Sequence, residues 1–315
     1  MPDNVDILLS VYNGGKYLQQ QLQSIVLQSH QHWHLLIRDD GSNDDSVEII
    51  EQFKTEYPDR VKIITDQQGN IGYSASFTEL LKHSMADYIM FCDQDDIWYS
   101  NKIAELLLNI KREEGIQPGK AVLVFSDLDV INDKMEVVTT FNKHFKFKKG
   151  VAGSIFFLKN YIPGCNMLFN RILLKSVFKT TNVIGYYDYW LVLVCATIGK
   201  ITYIDKPLMK YRLHSNNAIG LKIEEEPLYM RLSTTFKTCL KYCFRNKEYR
   251  DIVYSKNIEQ INNVCQVFPA LAVDAAKQLV SINTSNFFVR KRTNILAPYI
   301  TERYLAEQLT YIICF

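Results

Sequence analysis

None of the seven cysteines in this 315-residue chain forms a CxxC pair with another. Cys239 and Cys243 stand in a C-x-x-x-C spacing with no second pair to match, so the ligand pattern of a zinc site is missing. The odd count, and the apolar settings of Cys92 and Cys195, argue for buried thiols in a reducing cytoplasm rather than a disulfide framework. Charge of one sign is also lacking. The formal net charge is +2, which gives no electrostatic case for a nucleic-acid partner. No apolar run approaches the roughly 20 residues a membrane span requires, and the strongest, 190–198, stops far short. The N-terminus carries Asp3 and Asp6 and enters a strand pattern directly, so no secretory signal peptide is expected. Repeats and low-complexity tracts are absent. What remains is 47% hydrophobic and 22% charged, a globular composition sized for one large domain with an appendage or for two domains.

What the chain does have is a crowd of carboxylates. Asp93, Asp95 and Asp96 follow directly on the apolar run Tyr88-Ile89-Met90-Phe91, which reads as a buried strand. Carboxylates crowded at a strand end repel one another unless a cation joins them. Mg²⁺ or Mn²⁺ suits an all-oxygen site and commonly holds substrate phosphates as well. An Asp-rich turn or helix cap is the alternative reading of this segment taken alone.

The first ~130 residues alternate strand and helix signals, the mark of an α/β fold built on a βαβ sheet. Strands are expected at 5–10, 33–38, 61–64, 88–91 and 122–125, the last ending at Asp127. The first helix carries Leu18, Leu22, Ile25 and Val26 on one face. The second, capped by Ser42 or Asn43, carries Val47, Ile50 and Phe53. Asn70-Ile71-Gly72 opens a third through Phe77, Leu80 and Leu81, and a fourth covers 102–111. The basic, aromatic stretch 141–149 reads as a solvated loop, or as a flexible loop over an anionic ligand. Residues 150–220 read as the second half of the same domain. Helical patterns dominate afterwards, so the domains are drawn at 1–222 and 223–315.

Four polar segments fall at strand ends or helix starts: Val11-Tyr12-Asn13, Asp39-Asp40-Gly41-Ser42, Asn70-Ile71-Gly72 and Asp93-Gln94-Asp95-Asp96. In a parallel sheet they share one rim, where ligands of open α/β sheets bind. In this order the four segments resemble a family-2 glycosyltransferase with the GT-A fold, over about the first 220 residues. Later segments, Tyr187-Asp188-Tyr189-Trp190 and Tyr211-Arg212-Leu213-His214, match too. The form Phe91-Cys92-Asp93-Gln94-Asp95-Asp96-Ile97-Trp98 is similar to bacterial polysaccharide rhamnosyltransferases.

The resemblance implies a mixed central sheet, a nucleoside diphosphate sugar donor, a lipid-linked glycan acceptor and Mn²⁺ or Mg²⁺. By the same resemblance, Val11, Tyr12, Asn13, Asp40, Asn70, Gly72 and Asp93 would bind the donor nucleotide, with Tyr12 and Asp40 on base and ribose. Asp95, Asp93 and His214 would hold the metal. Asp96 and Arg212 would touch diphosphate or sugar, and Trp98 and Trp190 would stack on a sugar, wall the pocket or pack in the core. Asp188 matches the family's general base, which takes the acceptor proton as the anomeric centre inverts. Tyr187 and Tyr189 stand where relatives often have His and Trp. Cys165 has no activating neighbour and reads as a small buried residue.

The implied activity is inverting, metal-dependent transfer of L-rhamnose from dTDP-L-rhamnose during surface polysaccharide synthesis. The alternatives are UDP-glucose or UDP-galactose as donor, a nucleotide-sugar-binding module without turnover, and a phosphohydrolase. The last would place its first Asp after strand one, where this chain has Ser10-Val11-Tyr12-Asn13. The C-terminal region, with a basic amphipathic stripe at Leu232, Phe236 and Leu240, suits contact with the inner face of the plasma membrane, packing on the chain's own domain, or a homodimer interface.

Overall fold

The computed structural model describes residues 3–145, 162–179 and 187–214. Strand β1 (Val5–Val11) is buried along almost its whole length. Val5, Ile7, Leu9 and Val11 enter one core and Leu8 the other, as alternating side chains of a strand covered on both faces must. β1 pairs in parallel with β2 (Trp33–Asp39) and β4 (Tyr88–Cys92), and β2 with the short β3 (Val61–Ile63). The connections between these parallel strands run through α1 (Gly15–Val26), α2 (Ser46–Glu56) and α3 (Tyr73–His83).

Beyond β4 the sheet becomes mixed. β8 (Met167–Asn170) runs antiparallel to both β4 and β6 (Ala121–Ile131). The long β9 (Gly199–Arg212) lies parallel to β6, and the two-residue β5 (Ile97–Trp98) pairs antiparallel with it. β7 (Val137–Thr140) pairs with β6 alone, off the main order β3-β2-β1-β4-β8-β6-β9-β5. One core packs α1, α2 and α4 (Lys102–Ile116) through Leu18, Ile50 and Leu106. The other packs α3, α6 (Arg171–Phe178) and α7 (Tyr187–Ile198) through Phe77, Leu173 and Trp190.

Several local expectations change. β6 runs past Asp127 to Ile131, because register shifts near 126–129 let it keep pairing with β9. Val47 is exposed, while Ile50 and Phe53 are buried. Neither Ser42 nor Asn43 caps α2. Asp45 holds the cap position, and the Ser42 hydroxyl accepts from the Asn13 N–H instead. The stretch 141–149 is not all loop: α5 (Phe141–Phe145) forms a short helix with Phe141 buried, and 146–149 lie outside the described residues. The expected boundary at 222/223 and the C-terminal helices also lie outside them. Among the described residues no helix is long and apolar enough to cross a membrane.

Candidate functional site

Because β1, β2 and β4 are parallel, their carboxyl ends meet on one rim. The chain leaves β1 through Tyr12 and Asn13, and Asn13 takes φ 49°, a left-handed conformation that Asn tolerates. Side chains of neighbouring loops then take the backbone N–H groups of four successive residues. Tyr12 donates to Gln94 Oε1 at 2.8 Å, Asn13 to Ser42 Oγ at 2.9 Å, Gly14 to Ser46 Oγ at 2.9 Å and Gly15 to Asp44 Oδ2 at 3.0 Å. Gln94 returns a second bond from Nε2 to Tyr12 O at 3.0 Å. A Cβ on Gly14 would stand 2.4 Å from Gln94 Oε1, so only glycine admits this approach. Asp44, held below the usual carboxylate range by hydrogen bonds from Ser46 and Gly15 that outweigh its desolvation, already supplies the anion at the start of α1.

The second rim segment is organised from below by Arg38, which is buried at the end of β2. Its Nε and NH2 form a fork on Asp66 at 2.8 and 3.1 Å. NH2 also reaches Gly69 O at 2.9 Å, and NH1 bonds Asp40 and Ser76 Oγ. Asp40 is 2% exposed. Its Oδ1 accepts from Ile71 N and its Oδ2 from Gly72 N, both at 2.9 Å. These two bonds clamp the 70–72 turn, where Gly72 has φ 81°. Asn70 is carried exposed beside Gly41. Asp39 is the carboxylate left at the rim. Its Oδ2 accepts from Gly41 and Ser42 N–H, while its buried Oδ1 has no hydrogen-bond partner. Val11 likewise offers only backbone, its side chain being core.

The third segment gathers the acidic cluster. Asp96 is 1% exposed; its Oδ1 accepts from Arg212 N at 3.3 Å and its Oδ2 has no partner. Burial, then the charges of Asp95 and Asp93, push its pKa well up. Asp93 is raised to about 7 by burial and by Asp95, against an opposing hydrogen bond from Cys165. Atoms of Asp93, Asp96 and Cys165 able to ligate lie within 4.8 Å of one another. Asp95 is held from β9: Arg212 Nε donates to its backbone oxygen at 3.0 Å, and His214 Nε2 lies 2.8 Å from its Oδ2. Beneath the cluster sits Lys102, fully buried, donating to Cys165 O at 2.7 Å and lying 4.0 Å from the centroid of the Trp98 ring. Burial lowers its pKa to about 8.

Asp188 lies in the first turn of α7, partly exposed, with Oδ1 accepting from Tyr189 N at 2.7 Å. Its charge contributes to the raised pKa of Asp93, so the two share one electrostatic neighbourhood. Tyr187 seats this helix start, stacking on Phe77 at 4.4 Å and meeting Phe91 edge-on at 4.6 Å. Trp98 and Trp190 are both buried, one over Lys102 and the other in the α3–α6–α7 core, where aromatic area stabilises most.

A cleft of about 380 Å³ opens at this rim, walled by Tyr12, Asn13, Gln94, Asp95 and His214. Lys16, Tyr17 and Asp133 complete it, and sequence reasoning singled out none of the three. Lys16 and Tyr17 follow the Gly-Gly step into α1, which is the one signal that could have drawn notice. Gln94 lay inside a quoted motif without a role. The residues fit a hard divalent cation. Asp93, Asp96 and Cys165 bring ligating atoms within 4.8 Å of one another, Asp96 Oδ2 lacks a partner, and burial followed by the Asp95 charge raises Asp93 to about 7.

The family model described as "Glycosyl transferase family 2" matches residues 6–178. The chain is 30% identical over 255 residues to the dTDP-rhamnosyl transferase RfbG of Shigella flexneri, covering 77% of this chain and 81% of that protein. It is 28% identical over 103 residues to the putative teichuronic acid biosynthesis glycosyltransferase TuaG of Bacillus subtilis, covering 33% and 40%. Among solved structures, S. aureus TarS 1-349 in complex with UDP-GlcNAc superposes with a TM-score of 0.55 at 14% identity, over 84% of this chain and 82% of that one. The mixed sheet with helices on both faces is the GT-A fold.

Proposed function

Because the chain belongs to glycosyl transferase family 2 and is an enzyme of that family, we propose that it transfers L-rhamnose from dTDP-L-rhamnose, with inversion, to a lipid-linked glycan of a bacterial surface polysaccharide. The observation that carries the reading is the juxtaposition of Asp95 with His214 across the mouth of the cleft, beside Tyr12 and Asn13. Similarity to RfbG over 255 residues supports the donor, and the name of TuaG supports polysaccharide assembly. The work takes place in the cytoplasm, at the inner face of the membrane that carries the acceptor. A homodimer is compatible with this reading.

Each residue then has a task. Tyr12 and Asn13 form the wall for the nucleoside, fixed by Gln94 and Ser42. Asp40 is assigned to the base and ribose, and by accepting from Ile71 and Gly72 N–H it also holds the turn that carries Asn70. Asp95, Asp93 and His214 would hold Mn²⁺ or Mg²⁺, which when bound supplies Lewis-acid neutralisation of the departing diphosphate. Arg212 and Asp96 set the backbone and charge around Asp95. Asp188 accepts the proton of the attacking acceptor hydroxyl as the general base.

The test is a binding panel of dTDP-rhamnose, UDP-glucose, UDP-galactose, their N-acetyl forms and GDP-mannose, each with Mn²⁺, Mg²⁺ or chelator. Metal-dependent binding confined to dTDP-rhamnose is expected. A metal-dependent preference for a UDP sugar replaces the donor but keeps the reaction, and no binder at all sinks the assignment of the donor and its site.

A further inference from the structure

The end of β9 is gripped by a helix that no rim motif includes. Tyr17 and Gln20 stand three residues apart on α1 and so share one face. The Tyr17 ring stacks on the imidazole of His214, with centroids 5.0 Å apart and planes 29° from parallel. The Arg212 guanidinium lies 4.5 Å from the centroid of the same ring, and its NH2 donates to Gln20 Oε1 at 2.8 Å. Arg212 in turn binds the Asp95 backbone oxygen, and His214 the Asp95 carboxylate. Both of these contacts on Asp95 therefore come from side chains that Tyr17 touches.

We infer that Tyr17 is a positioning residue for the donor site: its ring sets the plane and height of the His214 imidazole, and so the carboxylate geometry of Asp95. Resting on the proposed function, this predicts that α1 tunes cation and diphosphate affinity without contacting the reacting atoms. An imidazole next to a carboxylate can rotate about two bonds, and a flat partner on its face removes most of that freedom before ligand arrives. Partners that orient metal-binding side chains in this way commonly change metal affinity by about tenfold or more when removed. His214 meets the face of the ring, and the Lys16 ammonium lies 4.8 Å from the same ring centroid, so the ring rather than the hydroxyl carries the effect on His214.

The experiment compares Tyr17→Leu and Tyr17→Phe in the full chain by two readouts. The first is the ring carbon–proton resonance of His214 in histidine-labelled protein, assigned with His214→Gln. A stacked phenol shields that proton, so Tyr17→Leu is expected to shift it downfield while Tyr17→Phe leaves it in place. The second is calorimetric binding of dTDP with Mn²⁺, expected to weaken about tenfold in Tyr17→Leu and to stay within about twofold in Tyr17→Phe. In turnover the Leu variant should raise the donor KM and spare kcat. An unmoved His214 resonance in Tyr17→Leu overturns the inference, as does equal binding loss in both variants. Should the unmodified chain bind no Mn²⁺–dTDP, the functional reading fails, and the resonance shift still decides whether Tyr17 orients His214.

Discussion

Removing the Arg38 guanidinium should unfasten the floor of the nucleotide pocket at a cost that the contacts allow to be worked out. The guanidinium has five N–H donors, and all five have acceptors: two on Asp66, one each on Asp40, Ser76 and Gly69 O. In Arg38→Met the Asp40 carboxylate keeps its backbone bonds from Ile71 and Gly72 but, while 2% exposed, loses the one cation paired with it among the described residues. Stranding one partner of a buried pair costs about 3–5 kcal/mol. With an m value of about 3 kcal/mol/M in urea, the unfolding midpoint should fall by about 1–1.7 M. Arg38→Lys restores the charge without the fork, and should fall between the two. Acid adds a second signature. The hydrogen bond from Arg38 holds Asp66 down to about 2, from 3.8. A depressed carboxyl contributes stability that is fully present above pH 3.8 and is lost as pH falls through about 2. The gap between the parent chain and Arg38→Met should therefore narrow over that window. Urea titrations monitored by tryptophan fluorescence at several pH values read both. A midpoint shift below about 0.3 M at neutral pH would refute the reasoning, since at that m value it is only about 1 kcal/mol.

Three further outcomes are expected. Lys102 is buried with a pKa lowered from 10.5 to about 8, so the fold disfavours its charged form. Stability relative to Lys102→Met should rise as pH climbs from about 8 to 10.5, and a flat difference in urea midpoints across that range would dismiss the assignment. Asp188→Asn should leave donor affinity within about twofold and cut kcat by about 10²–10⁴, the usual worth of a general base; near-normal transfer removes Asp188 from the mechanism. Asp95→Ala should make donor affinity identical with Mn²⁺ and with chelator, as read by calorimetry. A persisting metal effect would place the cation elsewhere.

Much of this was legible along the chain, and the residues say why. Strands β1 and β4 announce themselves because both faces are buried and every position is apolar or nearly so. Once those strands are parallel, geometry brings Tyr12, Asp39 and Asp93 to one rim with no further information. The α1 and α3 faces followed from helical spacing, and Leu18, Leu22, Phe77 and Leu80 are buried where the period put them. For Trp98, Trp190 and Asp40 motif position leaves the orientation open, because whether a side chain at a rim turns up to the ligand or down to the core depends on its partners. For Asp40 that partner is Arg38, two residues away yet itself set by Asp66.

The sequence by itself determined the alternation of strand and helix, the shared rim and the residue types gathered there. These are local properties, carried by side-chain period and by the chemistry of strand ends. Only the tertiary structure decided which atoms meet. His214 reaches Asp95 across 119 residues of chain, Gln94 braces Tyr12 across 82, and Lys102 supports Cys165 across 63. Such contacts form because the sheet's parallel and antiparallel halves close β9 and β5 against the rim of β1 and β4. No pattern within a short window encodes that closure; it follows from packing two cores against one mixed sheet at once.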